Sequence, residues 1–213
     1  MKTKPIQETY TEFQTAYDFF NQELFANRLP VCLITYQRKA KTKGYFADGR
    51  FENVKNGKII DEIAMNPDYF RGENITPKTI LSTLVHEMCH LWQKYYGKPG
   101  RNRYHNQEWA EMMLQVGLHP TDNGSLTGKM TGDKVSHRII DGGTFDRVSD
   151  KLLTKIKIAW VDRWTGAAAI NRSQLKNKIK YVCPVCHLNV WGKPEIHIIC
   201  GSCHCVLREE VKK

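Results

Sequence analysis

Apolar residues recur at helical spacing in three places along the chain. In residues 7–26, Phe13, Ala16, Tyr17, Phe20 and Leu24 make one stripe, and Asn27-Arg28-Leu29-Pro30 ends the helix they predict. Between Thr76 and Gly97 a second helix carries Leu81, Leu84, Val85, Met88, Leu91, Trp92 and Tyr95. On a helical wheel with His86 at zero, these fall within roughly 140–260°. Thr76 can cap this helix, Pro77 suits its first position, and Gly97 stands past its end. After His105, the stripe Trp109, Met112, Met113 and Val116 predicts a shorter helix stopped by Gly117. Residues 31–36 are rich in β-formers. Residues 44–47 and 50–54 flank Asp48-Gly49 as a hairpin, and Asn56-Gly57 turns the chain into a further strand over 58–65. Residues 119–150 show little periodicity and read as a loop or linker, and residues 151–164 fit a short helix or strand equally. Helices grouped with a small sheet predict an α+β fold.

The polar side of the second helix changes the picture. His86-Glu87-Met88-Cys89-His90 is an HExxH sequence. His90 lies near 40° on the wheel, almost opposite the centre of the apolar stripe, so both imidazoles can reach one metal ion. Glu87 is then placed to take a proton from an attacking water. A catalytic zinc needs a third protein ligand and an open position. The continuation HExxHxxGxxH is absent, because Gln93 and Tyr96 occupy its Gly and last His positions. The remaining candidates are His105 at the start of the following helix, or Glu108 or Glu111 within it. Tyr95, Tyr96, Tyr104 and His137 are candidates for stabilising an oxyanion.

HEMCHLW, a Gly-containing loop, His105-Asn106-Gln107-Glu108-Trp109, then Met112-Met113 and Gly117-Leu118 resemble the SprT-like metallopeptidases, which include the Spartan proteases that degrade proteins crosslinked to DNA. Phe20-Asn21-x-x-Leu24-Phe25 with Leu29-Pro30, Gly44-Tyr45-Phe46 and Ile63-Ala64-Met65-Asn66 resemble the family's opening helix and sheet. The resemblance implies a zincin-like fold, His86, His90 and His105 as zinc ligands, and Glu87 as general base. Asn106 stands where the family usually has Gly, and Asn can cap a helix there.

A second module follows. Cys183-Pro-Val-Cys186 and Cys200-Gly-Ser-Cys203 form two C-x-x-C knuckles separated by thirteen residues. Two knuckles complete a tetrahedral Cys₄ zinc shell, with strands expected over 187–191 and 196–199: a zinc ribbon. Cys205, His187 and His204 could each replace one ligand, but two regular knuckles are simpler, and Cys32 and Cys89 read as packing residues. Two zinc ions per chain are expected.

The net charge is +10, and it is unevenly spread. Residues 1–120 carry 16 Lys+Arg against 13 Asp+Glu, residues 121–182 carry 12 against 6, and residues 183–213 carry 4 against 3. A basic middle suits a polyanion. Lys176, Lys178, Lys180 and Tyr181 beside the first knuckle, with Trp191 and Lys193 at the ribbon's tip, are candidate contacts to DNA, most simply single strands or DNA–protein complexes. No segment approaches the ~18 apolar residues of a membrane span. Residues 1–8 lack the apolar run of a secretory signal, and paired metal-type cysteines suit a reducing compartment, so a cytoplasmic location is expected. The organisation expected is a metallopeptidase domain over 1–120, a basic connecting segment over 121–179 and a ribbon over 180–207, acting on DNA-bound proteins. The competing expectations are a non-proteolytic nucleic-acid-binding zinc protein, and a general cytosolic peptidase indifferent to DNA.

Overall fold

The computed structural model describes residues 4–102, 104–162 and 179–210. The chain divides into two units, residues 1–163 and 164–213.

In the first unit the helical stripes become the core. Helix α1 (Pro5–Phe25) buries Phe13, Ala16, Tyr17 and Phe20, and Ala26 ends it in the left-handed conformation. Strand β1 (Leu33–Tyr36) pairs in parallel with β3 (Ile59–Met65), and β2 (Gly44–Glu52) pairs with β3 on its other side, giving the order β1-β3-β2. Helix α2 (Pro77–Tyr96) starts with a Thr76–Thr79 capping box and buries Leu81, Leu84, Val85, Met88 and Leu91. Helix α3 (Gln107–Val116) is capped by the Asn106 side chain, which accepts from the Trp109 N–H, so Asn106 does the capping work foreseen for it.

Asp48-Gly49 is not a hairpin turn. β2 runs through it as one strand, with a register shift between Ala47↔Glu62 and Phe51↔Ile60. The extra residues bulge, and the buried Asp61 carboxylate on β3 accepts from Gly49 N–H at 2.7 Å, satisfying the group the bulge frees. Gly49 suits the bulge because its φ is +54°. Lys94 and Tyr95 also bond Asp61, which draws Tyr95 out of the core stripe to an exposed position.

The expected connecting segment is also corrected. Residues 118–121 and 136–139 form the antiparallel pair β4 (Leu118–Thr121) and β5 (Ser136–Ile139), followed by helix α4 (Thr144–Leu153). Phe145, Val148 and Leu152 are buried in the same core as α1 and α2, with the Phe145 ring 5.6 Å from Phe20. This short i, i+3, i+7 stripe was diluted in the sequence by a Gly/Asp/Ser-rich surrounding. Residues 155–162 return along α1, where the Trp160 indole donates to Glu8. Residues 121–162 thus belong to the first unit. Among the described residues no helix is long and apolar enough to cross a membrane.

The second unit is a three-stranded sheet, β6 (Ile179–Val182), β7 (Asn189–Gly192) and β8 (Arg208–Glu209), in the order β7-β6-β8. The strand expected over 196–199 is reduced to one bridge, Ile199↔Val206, and the strand before the first knuckle takes the centre of the sheet instead. Tyr181, Cys183, Cys200 and Leu207 form its small core. A core this small does not support a fold by itself.

Candidate metal centres

Helix α2 and the approach to α3 bring three histidines together. His86 and His90 stand one turn apart on α2, and His105 immediately precedes α3. One ring nitrogen from each lies within 4.8 Å of the others. The buried indole of Trp109 is their floor, with its centroid 4.2 Å from His105, 4.8 Å from His86 and 5.2 Å from His90. His105 is oriented by Gly132, from the segment between β4 and β5. Its Nδ1–H donates to the Gly132 carbonyl at 2.9 Å, and its backbone exchanges two hydrogen bonds with Gly132, which leaves Nε2 as the free lone pair.

Glu108 and Glu111, the other candidates for the third ligand, are engaged elsewhere. Glu108 accepts from the Lys98 backbone N–H and from Gln93 Nε2, and Glu111 accepts from Gln107 on the exposed side of α3. Gln93 also donates to Asn106, so one network ties the end of α2 to the start of α3. Gln93 carried no signal in the sequence beyond excluding the longer histidine motif.

The donor set fits a divalent transition metal. Burial, followed by the neighbouring imidazoles, holds His86 well below the usual imidazole range and His90 down to about 3, and burial lowers His105 as well. All three are therefore neutral ligands with a lone pair to offer. Neutral nitrogen donors of this kind suit zinc.

Glu87 lies between the two α2 histidines in sequence and is 5% exposed. Burial pushes its carboxyl up to about 8, opposed by a hydrogen bond from the Phe46 backbone. Gly44 makes this approach of β2 to α2 feasible. A Cβ there would lie 3.0 Å from the Ala64 carbonyl oxygen and from Thr83 Cγ2, and 3.4 Å from Glu87 Oε1.

Among the oxyanion candidates, Tyr95 and Tyr96 donate to Asp61 and to the Arg28 carbonyl, and Tyr104 is half-exposed. His137 sits beside the cluster, hydrogen-bonded to His86 and Ser82. A model of the SprT-like family matches residues 13–128, more than half of the chain and every element of this cluster from α1 to α3. The chain belongs to the SprT-like family. It is also 54% identical over 59 residues to a Salmonella typhimurium protein named "Uncharacterized protein in mucB 3'region", a match covering 28% of this chain and 80% of that one.

The second candidate centre is the ribbon's and lies beyond the residues matched by the family. Cys183, Cys186, Cys200 and Cys203 place their sulfurs within 4.8 Å of one another. The Cys186 N–H, ahead of other backbone and thiol donors, holds Cys183 down to about 6, whereas the adjacent sulfurs, Cys186 first, push Cys203 up to about 12. Four thiols this close cannot all ionise without a cation, and the set fits tetrahedral zinc. Cys205 lies 3.5 Å from Cys183 but outside that four-sulfur group, and His187 and His204 take left-handed backbone positions where the knuckles turn. Cys32 and Cys89 are buried packing residues.

The expected DNA contacts divide. Lys176 and Lys178 lie outside the described residues. Lys180 is paired with Glu210 at 2.9 Å. Tyr181 is 2% exposed, and its hydroxyl bonds the Lys193 carbonyl and Glu209, so it is a core residue of the ribbon and offers no face to a base. Trp191 is 58% exposed, and the Lys193 side chain is exposed as well.

Proposed function

We propose that this chain is a zinc-dependent endopeptidase acting on DNA-bound or DNA-crosslinked proteins. The observation that carries the hydrolytic reading is the place of Glu87, a buried carboxyl one residue from His86 and against the outer edge of β2. Asn66 N–H bonds the Lys43 carbonyl, so alternation along the antiparallel ladder turns the Gly44 and Phe46 backbone groups away from β3. β2 is an edge strand, and an extended polypeptide can pair with such an edge beside Glu87. This favours a protein substrate.

Held by His86, His90 and His105, Zn²⁺ would supply a Lewis acid that polarises the scissile carbonyl and lowers the pKa of water to about 7. Glu87 accepts the proton of the attacking water and delivers it to the leaving amine. Its burial against the edge of β2 holds the carboxyl in place for both transfers. Trp109 and the surrounding core exclude bulk solvent from the ligand side of the site.

The DNA association is supported by the excess of 12 basic over 6 acidic residues in 121–182 and by exposed Trp191 and Lys193. The test is cleavage of histone and casein by the full chain and by Glu87→Gln, with and without single-stranded DNA. We expect Glu87→Gln to keep its zinc and lose activity by about 100-fold or more, and DNA to stimulate the unaltered chain. DNA binding without any cleavage would point to a non-proteolytic zinc protein. Equal cleavage with and without DNA would point to a general peptidase.

A further inference from the structure

His137 lies on β5, paired with Pro120 of β4, beyond the residues matched by the family. Its ring lies half-buried against α2, where it bridges two residues one turn apart. His137 Nε2 lies 2.8 Å from Ser82 Oγ, and His137 Nδ1 lies 3.1 Å from His86 Nδ1. Ser82 Oγ lies in turn 2.8 Å from the Thr79 carbonyl oxygen.

The protons in this chain can be assigned from its fixed end. A backbone carbonyl only accepts, so the Ser82 hydroxyl donates to Thr79. Ser82 Oγ then accepts from His137, which puts the His137 proton on Nε2 and leaves Nδ1 as a lone pair. Two bare lone pairs cannot face each other at this distance, so His86 must carry its proton on Nδ1. One proton on each ring satisfies both contacts. The outcome is a His86 whose Nε2 lone pair is free and whose ring plane is held by a neighbour.

We propose that His137 is a positioning residue for the histidine metal centre: through the Thr79–Ser82–His137 chain it sets His86 in the Nδ1–H tautomer and so presents Nε2 to a divalent transition metal. The inference rests on reading His86, His90 and His105 as a metal site, but not on proteolysis. The same function is served at His105 by the Gly132 carbonyl. Partners of this kind raise ligand basicity and lock ring orientation, and their loss typically costs about 10–100-fold in metal affinity.

The experiment is Zn²⁺ affinity of the full chain by chelator competition, with the ribbon's cysteine site as internal reference. His137→Leu keeps a similar volume but offers no acceptor, and its histidine site should bind Zn²⁺ about 10–100-fold more weakly, with the ribbon site unchanged. His137→Asn places an amide oxygen near the position of Nδ1 and should restore most of that loss. Ser82→Ala, a small change, should weaken the site by several-fold, and it keeps the test decisive if His137→Leu does not fold. Long-range ¹H–¹⁵N correlation on the unaltered protein should show His86 protonated on Nδ1. An Nε2–H tautomer at His86, or wild-type affinity in folded His137→Leu or in Ser82→Ala, would overturn the proposal. Failure of the unaltered chain to bind any zinc at the histidines would instead overturn the metal-site reading. Loss of proteolysis with these affinities intact would touch only the proposed activity.

Discussion

The Glu108 carboxylate lies 2.6 Å from the Lys98 backbone nitrogen and 2.8 Å from Gln93 Nε2, clamping the loop between α2 and α3. It therefore supports the metal site without belonging to it. Glu108→Ala leaves one of the two hydrogens of the buried Gln93 amide without its acceptor, which costs roughly 1–3 kcal/mol. The thermal midpoint should fall while zinc stoichiometry stays at two per chain. A variant that loses one zinc and keeps its melting temperature would restore Glu108 as a ligand.

Truncation distinguishes a linker from a structural segment. Ending the chain after residue 120 removes β5, the Gly132 carbonyl and the buried side chains Phe145, Val148 and Leu152. Burying each of those three contributes about 1.5–3 kcal/mol, a total comparable to the roughly 5–15 kcal/mol that holds a domain together. Residues 1–120 should therefore fail to fold cooperatively, whereas residues 1–162 should give a dispersed NMR spectrum and bind one zinc ion.

The ribbon should depend on its metal. Its four-residue core leaves the Cys₄ centre to supply the folding energy. Strong chelation should abolish its dispersed resonances, and Cys200→Ser should remove one zinc per chain. Trp191→Ala should keep both zinc ions and weaken single-stranded DNA binding by roughly 1–3 kcal/mol, the worth of one stacked base. Tyr181→Ala should instead unfold the ribbon, since that ring is its core. Equal DNA affinity in Trp191→Ala would remove the stacking role.

Acid stability should carry a signature of the α2–α4 junction. Lys78 Nζ lies 2.6 Å from Asp146 and 2.8 Å from Asp150. The Lys78 hydrogen bond first, then the Gly142 N–H, holds the Asp146 carboxyl below the usual range. Such a group contributes stability that is present above the unfolded aspartate value of about 3.9 and lost as pH falls through the lower folded value. Asp146→Asn should therefore reduce stability near pH 7 and flatten its decline below about pH 5, as read by denaturant titration. The pair is solvent-exposed enough that the effect will be small.

What was legible along the chain was what short-range geometry encodes. The i, i+4 spacing of His86 and His90 opposite an apolar stripe places both on one side of α2 whatever else surrounds it, and a C-x-x-C knuckle converges two thiolates within its own turn. The helix ends were readable for the same reason, through Thr76, Pro77, Asn106 and Gly117. Other choices depended on groups far apart in sequence. Asp48-Gly49 suits a hairpin or a bulge equally, and Asp61 on the next strand decided for the bulge by accepting the Gly49 N–H. His105, Glu108 and Glu111 offered equivalent donors. Gly132, 27 residues from His105, oriented the histidine, while Gln93 and Lys98 engaged Glu108. Tyr181 and Trp191 have similar surface chemistry, and only the folding of β6 across the knuckles buried one and exposed the other. His137 and Ser82 meet across 55 residues. Periodicity states which face of an element is apolar, but which polar group meets which is decided only when those faces pack.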